Sequence, residues 1–353
     1  MIETEKIRKA VINMFKVNMG VKPGEKILVL TDTPRQSEWM SYNTEKLTEM
    51  VRRSLLAKAV SDIATEAFTG NTVHFFAYLS AERHGKEPGR EVEEEMKKSD
   101  VVAAITTYSL THTDARQNAC EAGARVASMP MFLQEMFYTG GAMSSDYEKI
   151  ADETTRISKR LTNTDHVQIR SREGTNLTFS LKGRTIMADT GIFKEKGVFG
   201  NLPSGEAYVP PVQGTGEGKL VVEAGWHPNL QENMTIQFEE GKVVNVLGGG
   251  KVGDEFRRLL DFAKDEEPYI SRRNLAELGV GTNPNAKRPD NVLEAEKIRG
   301  TVHVAIGDNS HMGGEVTADL HQDFVIPEPD LVLDGTALIS KGKTRPLAQQ
   351  IER

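Results

Sequence analysis

The sequence predicts an α/β amino-terminal domain with a parallel, doubly wound sheet, followed by a mostly β (α+β) carboxy-terminal domain. Three observations predict it. The chain has 353 residues, enough for about two domains. Its first part alternates short apolar strands with helical periodicities, the pattern of right-handed crossovers in a parallel sheet. After about residue 160 the apolar period falls to two, and paired segments around turn residues read as hairpins. Residues 1–155 are expected to form the α/β domain, of the Rossmann or flavodoxin kind, and residues 156–353 a β-rich metal-binding domain.

The elements follow in order. Ile7, Val11, Met14 and Phe15 fall at helical spacing and give a first helix one apolar face. Lys26–Thr31 is a buried strand entered from the Pro23-Gly24 turn, and the apolar period through Val51, Leu55, Leu56, Ala59 and Ile63 is a helix that stops at Gly70. Val73–Tyr78 is the next strand, Glu87–Lys98 a charged helix opening at Pro88, and Asp100–Ile105 a third strand. Thr113 caps a helix over Asp114–Glu121, which Gly123 ends before the strand Arg125–Ser128. The two domains join near 145–165. Beyond that, His166–Arg170 pairs with Leu177–Leu181, Met234–Phe238 with Val243–Leu247, and Thr301–Ile306 with Leu320–Val325. One helix, Asp254–Lys264, interrupts the hairpins.

Composition excludes several classes of function. Lys and Arg number 44 against 51 Asp and Glu, a net charge of −7, which disfavours a phosphate-backbone binder. The single cysteine, Cys120, excludes an intrachain disulfide and any cysteine-rich zinc module. No apolar run approaches the roughly 18 residues needed to cross a bilayer. The charged start, Met1-Ile-Glu-Thr-Glu-Lys6, lacks a signal-peptide core, so a cytoplasmic protein is expected.

Gly248-Gly-Gly250-Lys-Val-Gly253 matches the dinucleotide fingerprint, yet it follows a hairpin strand and opens no βαβ series. It reads as a hairpin-to-helix turn. Lys251 is followed by Val252, so no phosphate loop is present either.

The strongest constellation lies among the histidines. Three of the eight, His303, His311 and His321, fall within 301–323. Alternate strand residues face opposite ways, so Val302, Val304 and Ile306 share an apolar face while His303 points to the other. His321 and Asp323 are two apart and share a face. A lone strand histidine is more often a hydrogen-bonded core residue. Two imidazoles and a carboxylate converging from rigid strands are instead good ligands for a divalent metal. Glu206, on the turn-rich segment Leu202–Pro211, and Glu277, flanked by apolar residues, would bring the set to five. Five ligands suffice for two metals if a carboxylate bridges, although on spacing alone each glutamate reads as an ordinary acid. His112 follows the apolar strand 100–105, at the end where open α/β sheets place ligands. It is a candidate general acid or base, or a histidine that organises a helix start.

The order Pro203-Ser-Gly-Glu206, Leu275-Ala-Glu277-Leu-Gly, Gly300-Thr-Val-His303, Gly313-Gly314 and His321-Gln-Asp323 resembles the aminopeptidase T/S family of thermophilic metallo-aminopeptidases. The likeness covers about 200–335, and more loosely Lys22–Val29 and Thr113–Arg116. It implies a two-domain, homodimeric exopeptidase with two metals per chain (zinc, cobalt or manganese) held by Glu206, Glu277, His303, His321 and Asp323. A metal-activated water would attack the scissile carbonyl, with Glu206 shuttling the proton. Where those peptidases carry a tyrosine soon after the first metal histidine, this chain has Asp308-Asn-Ser-His311, and His311 is assigned to substrate contact. The same superfamily includes 2,5-dihydroxypyridine 5,6-dioxygenase, similar in fold, which uses one Fe(II). A triad of His303, His321 and Asp323 would suit that ion, with His112 as acid/base. The expectation is therefore a metallo-aminopeptidase acting on small peptides; a ring-cleaving dioxygenase of a small molecule, or a degenerate metal-binding relative, is the alternative. Neither nucleic acid nor membrane is an expected partner.

Overall fold

The computed structural model describes residues 2–345, so residues 346–353 of the expected second domain lie outside the described residues. The chain divides into two compact units, Met1–Ala151 with Asp189–Ser204, and Asp152–Ala188 with Gly205–Arg353.

In the first unit five parallel strands run in the order Thr72–Leu79, Lys26–Thr33, Val101–Thr106, Arg125–Pro130, Phe199–Asn201. Counted along the unit this is 2-1-3-4-5, a doubly wound order. Ile27, Val29, Val101 and Ala103 enter one apolar cluster, whereas Leu28, Leu30, Val102 and Ala104 enter another. Both faces of the sheet are therefore covered, which is why these strands read as continuous apolar runs. The expected α/β class is present. At the switch point between Lys26–Thr33 and Val101–Thr106, Asp32 accepts hydrogen bonds from the backbone N–H groups of Thr107 (2.6 Å) and Tyr108 (3.2 Å). His112 is exposed in the turn before the helix Asp114–Glu121, and Thr113 caps that helix by accepting from Arg116 N.

A helix, Tyr147–Thr162, spans most of the segment 145–165. Two local expectations are corrected. The charged helix begins at Arg90 rather than Glu87, because Gly89 takes φ 106°. The later helix spans Gly250–Leu260 rather than Asp254–Lys264. Gly248, Gly249 and Gly250 all have positive φ, so the glycine run bends the hairpin strand directly into it, as a hairpin-to-helix turn requires.

The second unit contains two largely antiparallel sheets. The larger has eight strands in the order Lys242–Gly248, Met234–Glu239, Glu217–Val222, Asn176–Ser180, His166–Arg170, Asp330–Leu333, Thr336–Ser340, Lys343–Thr344. The smaller has five: His321–Ile326, Val302–Gly307, Leu275–Gly281, Glu206–Val209, Met187–Asp189. All three expected hairpins form, and Glu240 and Gly241, both with positive φ, make the tight turn of the second. Val167, Phe179, Ile236 and Phe238 of the larger sheet join Leu278, Val280, Val302, Val304, Ile306 and Phe324 of the smaller in one core cluster. The smaller sheet thus turns its apolar face inward, and its other face carries the chemistry.

Candidate metal centre

The register of the smaller sheet sets one face. Glu277 and Asp323 both stand opposite Ala305, and Gly279 stands opposite His303. Glu206 pairs with Gly281, and His321 with Gly307. Directly paired residues, and those two apart along a strand, share a face. Glu206, Glu277, His303, His321 and Asp323 therefore project together from four adjacent strands. Glycine or alanine fills the positions between them. A β-carbon at Gly279 would stand 1.9 Å from His303 Nε2, so the imidazole lies in space that any other residue would occupy. A β-carbon at Gly281 would stand 2.1 Å from the carbonyl oxygen of Ile298, and this closeness brings the segment Glu296–Ile298 against the same face.

The five side chains form two overlapping groups, Glu206–Glu277–His303 and Glu277–His321–Asp323, whose ligand atoms in each group lie within 4.8 Å of one another. Glu277 belongs to both. Its Oε1 is 3.3 Å from His303 Nε2, and its Oε2 is 3.2 Å from His321 Nε2. His303 Nε2 is also 3.4 Å from Glu206 Oε2, and His321 Nε2 is 3.5 Å from Asp323 Oδ1. Lys297, 3% exposed, donates from Nζ to Glu206 Oε1 at 2.6 Å and to Glu296 Oε2 at 2.9 Å.

These groups fit a cation. His321 Nδ1 lies 2.7 Å from the carbonyl oxygen of Asp308, which can only accept, so that nitrogen carries a proton. In the neutral ring Nε2 then turns a lone pair toward two carboxylate oxygens. Asp323 Oδ1 is buried and makes no hydrogen bond. Lone pairs converging in this way need a proton or a metal ion between them, and a carbonyl that fixes the far nitrogen is the usual support of a metal-binding imidazole.

Electrostatics without the ion follow the same logic. Burial pushes His303 down, but the hydrogen bond to Glu277 and the charges of Glu206, Glu277 and Asp323 lift it to about 9. Burial likewise opposes the charge on His321, and Asp323 and Glu277 overcome it, raising its pKa well above the ordinary value. Burial raises Glu277, while hydrogen bonds from His303 and His321 hold it at about 2. Glu296 behaves oppositely. Burial dominates over the favourable charge of Lys297 and carries it to about 8, a carboxyl that is mostly neutral at pH 7.

Of the residues singled out in the sequence, five converge here. His311 flanks them, its ring 5.2 Å from that of His321 in an edge contact, with Nδ1 2.6 Å from Asp308 Oδ2. His112 belongs to the first unit. The compact group around His321 and Asp323 is completed by Glu277, whereas His303 stands beyond Glu277 with Glu206. Glu296, Lys297, Asp308, Gly279 and Gly281 escaped the sequence reading. The charges of Glu294-Ala-Glu296-Lys297, embedded in apolar residues just before His303, are the one signal that marked any of them.

Two outcomes are expected. Gly279→Ala displaces the His303 ring and lowers divalent-metal affinity by about 10–100-fold, read by competition with a chelating indicator, with far-ultraviolet circular dichroism unchanged. Because His321 holds a proton in the metal-free centre, an ion bound through its Nε2 displaces about one proton, and affinity rises with pH across the neutral range. Titration calorimetry in buffers of differing ionisation enthalpy measures that release.

A family model described as NicX, 2,5-dihydroxypyridine 5,6-dioxygenase, matches residues 7–346. The chain is 22% identical over 255 residues to 2,5-dihydroxypyridine 5,6-dioxygenase of Pseudomonas putida (strain KT2440), a match covering 67% of this chain and 69% of that one. Among solved structures, the 2,5-dihydroxypyridine dioxygenase of P. putida KT2440 aligns with a TM-score of 0.71 at 16% identity, over 98% of each chain. Wild-type AmpT from Thermus thermophilus aligns with a TM-score of 0.62 at 15% identity, over 97% of this chain and 99% of that one. At such identities the structural likeness speaks to fold. Of the two families that the sequence resembles, the one whose model matches the chain is the dioxygenase's. Matched across residues 7–346, the chain belongs to the NicX, 2,5-dihydroxypyridine 5,6-dioxygenase, family.

Proposed function

We propose that this protein is an Fe(II)-dependent ring-cleaving dioxygenase acting on a small dihydroxylated aromatic such as 2,5-dihydroxypyridine. Membership of the family supports the reaction class. The observation that carries it to this chain is the convergence of Glu277, His321 and Asp323 on one sheet face, with Asp323 Oδ1 buried and without a hydrogen bond, beside a second imidazole at His303. Imidazole nitrogen and carboxylate oxygen, without thiolate, are the donor types of non-haem Fe(II) sites, which commonly take two histidines and one carboxylate; His303, beyond Glu277, would supply the second imidazole. Bound there, iron would supply the one-electron chemistry that lets dioxygen react with an aromatic ring.

The residues divide the remaining work. Asp308 holds the His321 ring through its carbonyl and pairs with His311 through its carboxylate. Hydrogen bonding to His311 and Ser310 helps to keep Asp308 ionised against its partial burial. Of the site's imidazoles His311 is the most exposed, with 30% of its side chain open, which suits it to meet a substrate hydroxyl.

A two-metal aminopeptidase is the second reading. It is supported by Glu277, whose two oxygens face two different histidines as a bridging carboxylate would, and by the AmpT-like fold. One pair of assays separates them. Protein loaded anaerobically with Fe(II) is expected to consume one dioxygen per 2,5-dihydroxypyridine cleaved, with turnover lost in His321→Ala and Asp323→Asn. Release of amino acids from aminoacyl amides by the zinc, cobalt or manganese form, without oxygen uptake, would replace the first reading with the second. Inactivity of every metal form in both assays would leave a metal-binding protein without turnover.

A further inference from the structure

We infer that Lys297 acts as a built-in second cation, its ammonium taking the charge role of a second metal and limiting this centre to one divalent ion. The inference rests on the metal-centre reading above and adds the residue that sets the number of ions.

The geometry offers two places for a cation on either side of Glu277, one toward Glu206 and His303, the other toward His321 and Asp323. Among the described residues, the first has a lysine of the chain's own. Lys297 Nζ lies 2.6 Å from Glu206 Oε1, and the side chain is 3% exposed. The ammonium is not a passing surface group. Gly281 lets the backbone of residues 296–298 close on the sheet. Asn283 N donates to the Lys297 carbonyl at 2.8 Å, and Lys297 N donates to Glu294 O at 3.1 Å, fixing the residue from both sides. A second hydrogen bond, to Glu296 Oε2 at 2.9 Å, orients the same nitrogen.

The carboxylates divide accordingly. Glu206 already faces the Lys297 ammonium. A single divalent ion, bound toward His321 and Asp323, faces Glu277 and Asp323. A second divalent ion would have to displace Lys297 from Glu206 or sit beside its positive charge at low dielectric, where like charges repel strongly. With an uncharged residue at 297 the three carboxylates, sharing Glu277 between two ions, become a two-metal site.

Metal content tests this directly. The purified full chain, and its Lys297→Met, Lys297→Gln and Lys297→Arg variants, are equilibrated with excess Mn(II), passed through a desalting column and analysed for metal per chain. The inference expects one ion in the parent and in Lys297→Arg, and two in Lys297→Met and Lys297→Gln. The glutamine variant keeps a hydrogen-bond donor for Glu206 and serves if the methionine variant does not fold, which circular dichroism reports. Two ions in the parent, or one ion in a folded, uncharged variant, overturns it. Oxygen consumption by the iron-loaded parent is measured separately. One ion per chain in every folded variant, together with parental turnover, removes the role of Lys297 and leaves the dioxygenase reading standing. Two ions in the uncharged variants without parental turnover does the reverse.

Discussion

His303 and Gly279 stand opposite each other on neighbouring strands, and the ring of one occupies the volume that a side chain on the other would need. The rest of the centre depends on that exchange. Because the imidazole can lie over the neighbouring strand, its Nε2 reaches Glu277 and Glu206 without leaving the sheet. Four strands then supply five potential ligands from a rigid surface, with Ala305 between Glu277 and Asp323 and no bulky residue to hold them apart. Sheet-mounted ligands cost little reorganisation when an ion enters, since the backbone that carries them is fixed by its own hydrogen bonds and by the apolar core on the inner face.

That arrangement concentrates charge. Three carboxylates sit against two histidines and a lysine, and each group's state is set by the others more than by its own chemistry. The two histidines hold their protons only because carboxylates face them, so the metal-free centre stores protons where the loaded centre stores an ion. Glu296 shows the opposing force. It has Lys297 beside it, yet burial prevails and favours its neutral form.

Much of this was legible in the residues, for identifiable reasons. The doubly wound sheet announced itself through buried strands such as Val101–Thr106, because a strand covered on both faces has no polar alternation. The alternation of Val302, Val304 and Ile306 against His303 fixed the inner and outer faces of one strand before any register was known. What stayed hidden depends on distance in space. Glu277 looked like an acid among apolar residues; only its pairing opposite Ala305, past an irregularity after Leu275, gives it a role between two histidines. The importance of Gly279 and Gly281 is a matter of what lies across from them. Lys297 arrives from a segment outside every strand, which meets the chain just past the strand Leu275–Gly281 through a parallel bridge, Asn283 to Ile298. Phe199–Asn201 is too short to signal a strand, and it becomes one by pairing beside Arg125–Pro130.

The central claim is a single metal on the outer face of the five-stranded sheet, seated between Glu277, His321 and Asp323. Anomalous diffraction at the iron absorption edge, from crystals of the Fe(II)-loaded protein, tests it most directly. The account predicts one peak per chain at that position, with Lys297 still against Glu206. Two peaks flanking Glu277, or a single peak away from these residues, would contradict it.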